Sequence, residues 1–195
     1  MSQRITLRRR PTVARILAPR GDSLIVTGLG STTWDTFAAG DHELNFYTWG
    51  GMGGAAMVGL GLAISQPRRR VLVITGDGEM LMGMGSLATI GVQKPGNLAV
   101  VVIDNERYGE TGQQTTHTHH GVELASIALA TGFRDAITAY TRAQLNDAID
   151  LIYDSQGPVF ALVKVRPDSE PLTLPERDGP YLKSRFRQAL LGTND

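Results

Sequence analysis

Val71-Leu72-Val73-Ile74-Thr75-Gly76-Asp77-Gly78, followed by Leu98-Ala99-Val100-Val101-Val102-Ile103-Asp104-Asn105, decides the fold of this chain. Each stretch is an apolar run that stops at a short polar tail, and 25 residues lie between Gly78 and Asp104. Unbroken apolar runs of this length suit strands buried on both faces. Neighbouring parallel strands bring their carboxyl ends to one sheet edge, where open α/β folds bind ligands. Asp77 and Asn105 would supply two hard oxygens there, the ligand type that Mg²⁺ prefers when it also holds phosphates. Gly78 leads into a helix expected at Glu79–Gln93, whose first amides and dipole favour a phosphate.

The rest of the chain alternates in the same way. Ser23–Thr27 reads as a strand, Gly28–Thr32 as a Gly-rich turn into a helix at 32–39, and Asn45–Thr48 as a second strand. Trp49–Gly54 is a glycine-dense loop opening a helix of small residues, Ala55–Ile64, suited to lie close to a sheet or a partner helix. Beyond the central pair come a long polar loop at Glu106–Gly121, a helix at Val122–Thr131 and a strand near Ala136–Ala139. A helix at Arg142–Asp154 and a strand at Val159–Val165 follow. Alternation of this kind predicts an α/β fold, a doubly wound parallel sheet flanked by helices. The core is expected over about 20–168, with an acidic, Pro-containing tail from Ser169 and a last helix at Tyr181–Leu191.

A chain of 195 residues fits one domain with a proper core. Its net charge is zero, so no global field draws it to nucleic acid or an anionic membrane. No apolar run reaches transmembrane length. The absence of cysteine excludes disulfides, thiolate metal sites and iron–sulfur ligation by this chain and suits a cytoplasmic setting. The first 20 residues hold six arginines and no acid, a composition shared with targeting peptides, but no apolar h-region follows. Pro11 at an N1 position opens a short helix, Thr12–Leu17, and Arg8–Arg10 reads as a solvated end.

The motif pair resembles the cofactor signature of the thiamine diphosphate enzymes, a Gly-Asp-Gly, a spacer and an Asn pair. Gly76–Gln93 (GDGEMLMGMGSLATIGVQ) and Asp104–Thr116 (DNERYGETGQQTT) are similar to the sulfopyruvate and phosphonopyruvate decarboxylase branch, over about residues 20–190. Asp104 stands where the family's first Asn would be, and the ligand position, Asn105, is intact. The resemblance implies that Asp77, Asn105 and the backbone carbonyl of Arg107 hold Mg²⁺, with diphosphate oxygens and a water completing the shell. Gly78, Glu79 and the amides of Tyr108, Gly109 and Glu110 then face the diphosphate. Gly50-Gly51-Met52 match the loop under the cofactor's middle. There the carbonyl of Gly50 accepts from the 4′-amino group, and Met52 wedges between the two rings to impose the V shape.

Other readings of the same residues stand beside these. Asp77 in an isolated Gly-Asp-Gly is often a turn former, and Met52 is also ordinary core filler. Thr111 and Gln113 are candidates for the substrate pocket. His117, His119 and His120 form either a polar surface loop or a contact to substrate, and Arg107 competes with them for a second anion. Gly28–Thr32, the first strand's exit loop, is expected under the resemblance to contribute hydroxyls or amides to the diphosphate, and a Rossmann reading of it lacks the full glycine frame and a well-placed acid.

The family also needs a Glu against the pyrimidine N1′, carried by a separate pyrimidine-binding domain of similar size. The resemblance therefore implies a β-type subunit, completed by an α-type partner that supplies that Glu. The expected activity is loss of CO₂ from a small 2-oxo acid, sulfo- or phosphono-substituted, to leave an aldehyde. Alternatives are the β subunit of a 2-oxoacid oxidoreductase, a thiamine-dependent carboligase, or a non-catalytic assembly subunit. Apolar positions on Ala55–Ile64 and around Met80–Met84 are expected to stay partly exposed until a partner covers them.

Overall fold

In the computed structural model, which describes residues 4–192, six strands form one parallel sheet. They are β1 (Leu24–Thr27), β2 (Asn45–Tyr47), β3 (Val71–Gly76), β4 (Leu98–Asp104), β7 (Asp135–Ala139) and β8 (Val159–Lys164). Their spatial order is β2-β1-β3-β4-β8-β7. The doubly wound expectation holds, and every residue of β4 is buried, as its unbroken apolar run requires.

Two apolar layers cover the sheet. On one face lie α1 (Arg9–Leu17) and α7 (Arg142–Asp154), with α2 (Ser31–Ala38) packed on α1. On the other lie α3 (Ala55–Ser65), α4 (Asp77–Met82), α5 (Gly85–Gln93), α6 (Leu124–Ala130) and α8 (Gly179–Leu191). Helix α7 begins at Arg142, as read from sequence, because Thr141 and Gln144 form a capping box. The small-residue expectation for α3 also holds: a Cβ on Gly59 would meet Val73 Cγ2 at 2.2 Å, so only glycine lets the helix lie this close.

Three local expectations need correction. Helix α1 starts at Arg9, which puts Pro11 in the first turn, where a missing N–H costs nothing. The single helix expected over Glu79–Gln93 is two helices, broken at Gly83–Met84. The loop 106–121 is not irregular. It folds into a two-stranded hairpin, β5 (Arg107–Tyr108) and β6 (Gln114–Thr115), and a 3₁₀ turn at His117–His120.

The tail crosses the sheet's β2 edge. Trp49 Nε1 donates to the Glu176 carbonyl at 2.9 Å, and the Arg177 guanidinium lies 5.2 Å from the Trp49 ring centroid. Helix α8 then docks through Phe186, edge-on to Phe46 at 5.5 Å, and through Arg185, which grips Asp41 with two N–H groups at 2.6 and 3.3 Å. Among the described residues no helix is long and apolar enough to cross a membrane.

Burial alone would push the Asp41 carboxyl up, but hydrogen bonds from Arg185 and Tyr47 outweigh it and hold it below its ordinary value. A carboxyl held low in the folded state contributes stability above its unfolded pKa and loses it as pH falls through the folded value. Asp41→Asn is expected to cost about 1 kcal/mol at pH 7 after solvent screening, and nothing below about pH 3. Chemical denaturation at both pH values measures this; an equal deficit at pH 3 would mean that packing, not charge, holds α8.

Candidate active site

The strand order fixes where a site can form. From β1 the chain winds to β2 on one side, then crosses to β3 on the other, so the loops leaving β1 and β3 diverge at the sheet's carboxyl edge. A cavity of about 310 Å³ opens there. Leu29, Ser31 and Thr32 line it from the β1 exit, Gly76 to Glu79 from the β3 exit, and Asn105 from the β4 exit. The hairpin closes one side with Arg107 to Thr111, Met52 reaches in from the loop before α3, and Arg9 from α1. The Gly76↔Ile103 register brings Asp77 and Asn105 to the same edge, as their positions in sequence led one to expect.

A buried chain of polar contacts supports these two residues. Thr116 Oγ1 donates to Asp77 Oδ2 at 2.6 Å and lies 2.9 Å from Thr118 Oγ1. Thr118 in turn donates to Asp104 Oδ1 at 2.9 Å. Lys164 Nζ, inside β8, sits 2.8 Å from both Asp104 Oδ2 and Glu106 Oε1. Glu106 Oε2 reaches the His119 Nδ1 at 3.0 Å at the surface. Two backbone turns finish the loop: the Glu106 amide donates to Asp104 Oδ1, and the Arg107 amide to Asn105 Oδ1 at 3.0 Å. Asp77 Oδ2 and Asn105 Oδ1 are thus each held by a partner.

Asp77 sits in an environment that disfavours its own negative charge. Burial first, and the facing Asp104 second, push its carboxyl well above its ordinary value. Lys164 is spent on Asp104 and Glu106, so Asp77 has no cation of its own. One carboxylate and one amide oxygen with no thiolate or imidazole suit a hard ion such as Mg²⁺ that shares its shell with phosphate oxygens. No group of three His, Cys, Asp or Glu that could hold a metal occurs among the described residues, which leaves such an ion dependent on ligand oxygens.

Glu79 does something the sequence did not suggest. Its carboxylate accepts from Thr75 Oγ1 at 2.7 Å, the Leu29 amide at 3.2 Å and the Gly53 amide at 3.4 Å. One side chain therefore ties the β1 exit loop and the Trp49–Gly54 loop to β3. Burial raises its carboxyl, opposed by those donors. A second tie is steric: a Cβ on Gly83 would fall 2.1 Å from the Gly53 carbonyl oxygen, so the break between α4 and α5 receives the Met52 loop backbone against backbone.

Not every expected site residue lines the cavity. Asp77, Gly78, Glu79, Asn105, Arg107, Tyr108, Gly109, Glu110, Thr111 and Met52 do; Gly50, Gly51 and Gln113 do not. Met52 is 47% exposed, so it is no core filler. The three loop histidines are exposed and outside the lining, with His119 engaged by Glu106. The solvated-end expectation for Arg8–Arg10 fails for Arg9, which is 5% exposed and 2.8 Å from the buried Asp35. Thr116, Thr118 and Lys164 were missed. Only Lys164 left a signal, as a lone cation inside an apolar strand run.

Residues 29–163 match the family model of the thiamine pyrophosphate enzyme C-terminal TPP-binding domain. The chain is 36% identical over 189 residues to the β subunit of sulfopyruvate decarboxylase from Methanothermobacter thermautotrophicus, covering 97% of this chain and 98% of that one. It is 37% identical to phosphonopyruvate decarboxylase from Streptomyces viridochromogenes, covering 91% of this chain and 46% of the longer relative. The fold is that of the 4-hydroxybenzoylformate decarboxylase from Rhodococcus jostii RHA1, with a TM-score of 0.71 at 17% identity over 87% of this chain and 34% of that one.

Removing Lys164 alone should be costly, since it leaves Asp104 buried and unpaired. Lys164→Met is expected to lose about 3–5 kcal/mol, and the double variant with Asp104→Asn to recover most of it. Urea denaturation of both variants decides the point. Equal losses in the single and double variants would show that the ion pair does not hold the loop.

Proposed function

The chain belongs to the thiamine pyrophosphate enzymes, and on that premise we propose that it is the β-type subunit of a thiamine diphosphate- and Mg²⁺-dependent 2-oxoacid decarboxylase. The supporting observation is the meeting of Asp77 and Asn105 on one cavity at the sheet's carboxyl edge. The names of the relatives support a small 2-oxo acid with a second anion, sulfonate or phosphonate, as the substrate, and CO₂ and an aldehyde as the products. Their names favour decarboxylation over the oxidoreductase and carboligase alternatives, and the intact Asp77–Asn105 pair speaks against a purely structural subunit.

Thiamine diphosphate bound here supplies a thiazolium that accepts the electron pair released as CO₂ leaves. The chain's own residues hold and orient it. Asp77, Asn105 and the Arg107 carbonyl take the metal, and the metal takes the diphosphate. The amides of Gly78 and Glu79, with those of Tyr108, Gly109 and Glu110 on the hairpin, suit the remaining phosphate oxygens. Gly50 offers its carbonyl and Met52 its side chain to the middle of the cofactor, and the Glu79 carboxylate fixes that loop's distance from the diphosphate end. Tyr108 packs its ring over Gly78, 2.7 Å from where a Cβ would sit, and shields the phosphate anchor from water.

The partner of this subunit is an α-type chain carrying the activating Glu. The term "subunit beta" in the names of relatives supports a partner, and so does exposed apolar surface on α3, α4 and α5. Met57, Gly61 and Ile64 form an exposed line along α3, and Met82, Met84 and Val92 another along α4 and α5, Val92 being 77% exposed. Apolar surface of this kind favours coverage by another chain. A setting in the cytoplasm accords with a chain free of cysteine.

Three measurements test this function. Asp77→Ala should weaken Mg²⁺-dependent thiamine diphosphate binding roughly a hundredfold while the protein stays folded; unchanged affinity by calorimetry would remove the metal assignment. Met52→Ala should lower kcat more than cofactor affinity, because the diphosphate anchor is untouched. Alone, the chain should not release CO₂ from sulfopyruvate at saturating cofactor and Mg²⁺, and addition of the α-type chain should start the reaction. Full activity of the single chain would overturn the split site.

A further inference from the structure

Glu106 stands between two of the three positions expected to hold the metal, Asn105 and Arg107, and its backbone lies in the left-handed region at φ 60. Among the described residues the other non-glycine residues with positive φ have ordinary places: Lys94 ends α5, and Gln113 lies in the turn between β5 and β6. A side chain at such a backbone is costly, so the conformation persists only where its surroundings over-determine it.

At Glu106 they do, because every polar group of the residue has a partner. Its amide donates to Asp104 Oδ1 at 2.9 Å, and its carbonyl accepts from the Thr116 amide at 3.0 Å. Oε1 accepts from Lys164 Nζ at 2.8 Å, and Oε2 lies 3.0 Å from His119 Nδ1. Thr116 also donates its hydroxyl to Asp77, so the residue that holds the Glu106 carbonyl holds the third metal position too. Glu106 is not part of the cavity wall, and its carboxylate faces Lys164 and His119 behind the loop. Glycine would adopt this backbone without strain but would leave it free to swing.

We propose that Glu106 is the positioning residue of the metal loop: its carboxylate, held by Lys164 and His119, locks the left-handed turn that sets the Asn105 side-chain oxygen against the Arg107 carbonyl, and so makes the site prefer Mg²⁺ to Ca²⁺. The role rests on the thiamine diphosphate function above and adds ion selectivity to it. Mg²⁺ demands a near-ideal octahedron at about 2.0–2.1 Å, whereas Ca²⁺ accepts roughly six to eight oxygens at about 2.3–2.6 Å in flexible geometry. A turn free to rock therefore still suits Ca²⁺ and no longer suits Mg²⁺. Loss of the Glu106 side chain leaves the buried Asp104–Lys164 pair in place, so the fold is expected to survive.

The test uses Glu106→Gly, which keeps the backbone and removes the carboxylate, Glu106→Gln, which keeps an acceptor within reach of Lys164, and His119→Gln at the exposed end. Folding is checked by circular dichroism, and Glu106→Asn, which also tolerates positive φ, replaces Glu106→Gly should that variant not fold. Thiamine diphosphate is titrated calorimetrically into the full chain with excess Mg²⁺ and, separately, with excess Ca²⁺. Glu106→Gly is expected to weaken binding with Mg²⁺ on the order of tenfold and with Ca²⁺ clearly less. Glu106→Gln should restore most of the preference, and His119→Gln should lose only part of it. Wild-type affinities in Glu106→Gly with both ions would show that the turn needs no lock. Equal losses with both ions would show general damage to the loop, and either result overturns the positioning role. Failure of the wild-type chain to bind thiamine diphosphate with either ion would count against the thiamine function itself, and against the positioning role with it.

Discussion

The parallel pairing of β1, β3 and β4 is the constraint on which everything else hangs. Parallel strands need crossovers, crossovers place helices on the faces, and strands covered on both faces must be apolar along their whole length. The only places left for polar chemistry are the strand ends. Because the winding reverses between β1 and β3, their exit loops part and leave a gap. Asp77, Asn105 and the α2 N-terminus all border that gap because their strands end there in register.

Placing charge at the end of a buried strand has a cost that the structure answers locally. Asp104 is completely buried, and a bare carboxylate there would be intolerable. Lys164 reaches it from the adjoining strand because β4 and β8 are paired Asp104↔Lys164. The same lysine holds Glu106, so the loop carrying Asn105 is pinned on both sides of the amide. Asp104 and Lys164, charged residues at paired positions of two buried strands, are then one feature. Thr116 and Thr118 connect it to Asp77 through adjacent hydroxyls, Thr116 donating to Asp77 and Thr118 to Asp104.

Much of this was legible in the chain itself. The central strands, the site edge and the Asp77–Asn105 pair follow from apolar runs that end in polar residues, and α7 was legible over Arg142–Asp154. Other features depend on partners distant in sequence. Arg9 belongs to a run of three arginines near a terminus, a pattern that usually means solvent; its burial follows from Asp35, which nothing local announces. The break at Gly83 is hidden in Glu79–Gln93 because the apolar spacing continues across it, and only the Gly53 backbone lodged there demands it. The hairpin within 106–121 has strands of two residues, too short for any period to show. Glu79 read as a helix-start acid, while its carboxylate holds the Leu29 and Gly53 amides, which lie far before it in the chain.

Trp49 stands immediately before the Gly50–Gly53 loop, its indole N–H held by the Glu176 carbonyl and its face under Arg177. The chain has just one other tryptophan, Trp34, in the helix that borders the opposite end of the cavity. Indole emission responds to nearby charge and to hydrogen bonding, and each tryptophan stands in a segment that borders the same gap. Single Trp→Phe replacements would leave one emitter apiece. The order in which the two ends settle around an incoming molecule then becomes visible to stopped-flow optics, without any attached dye.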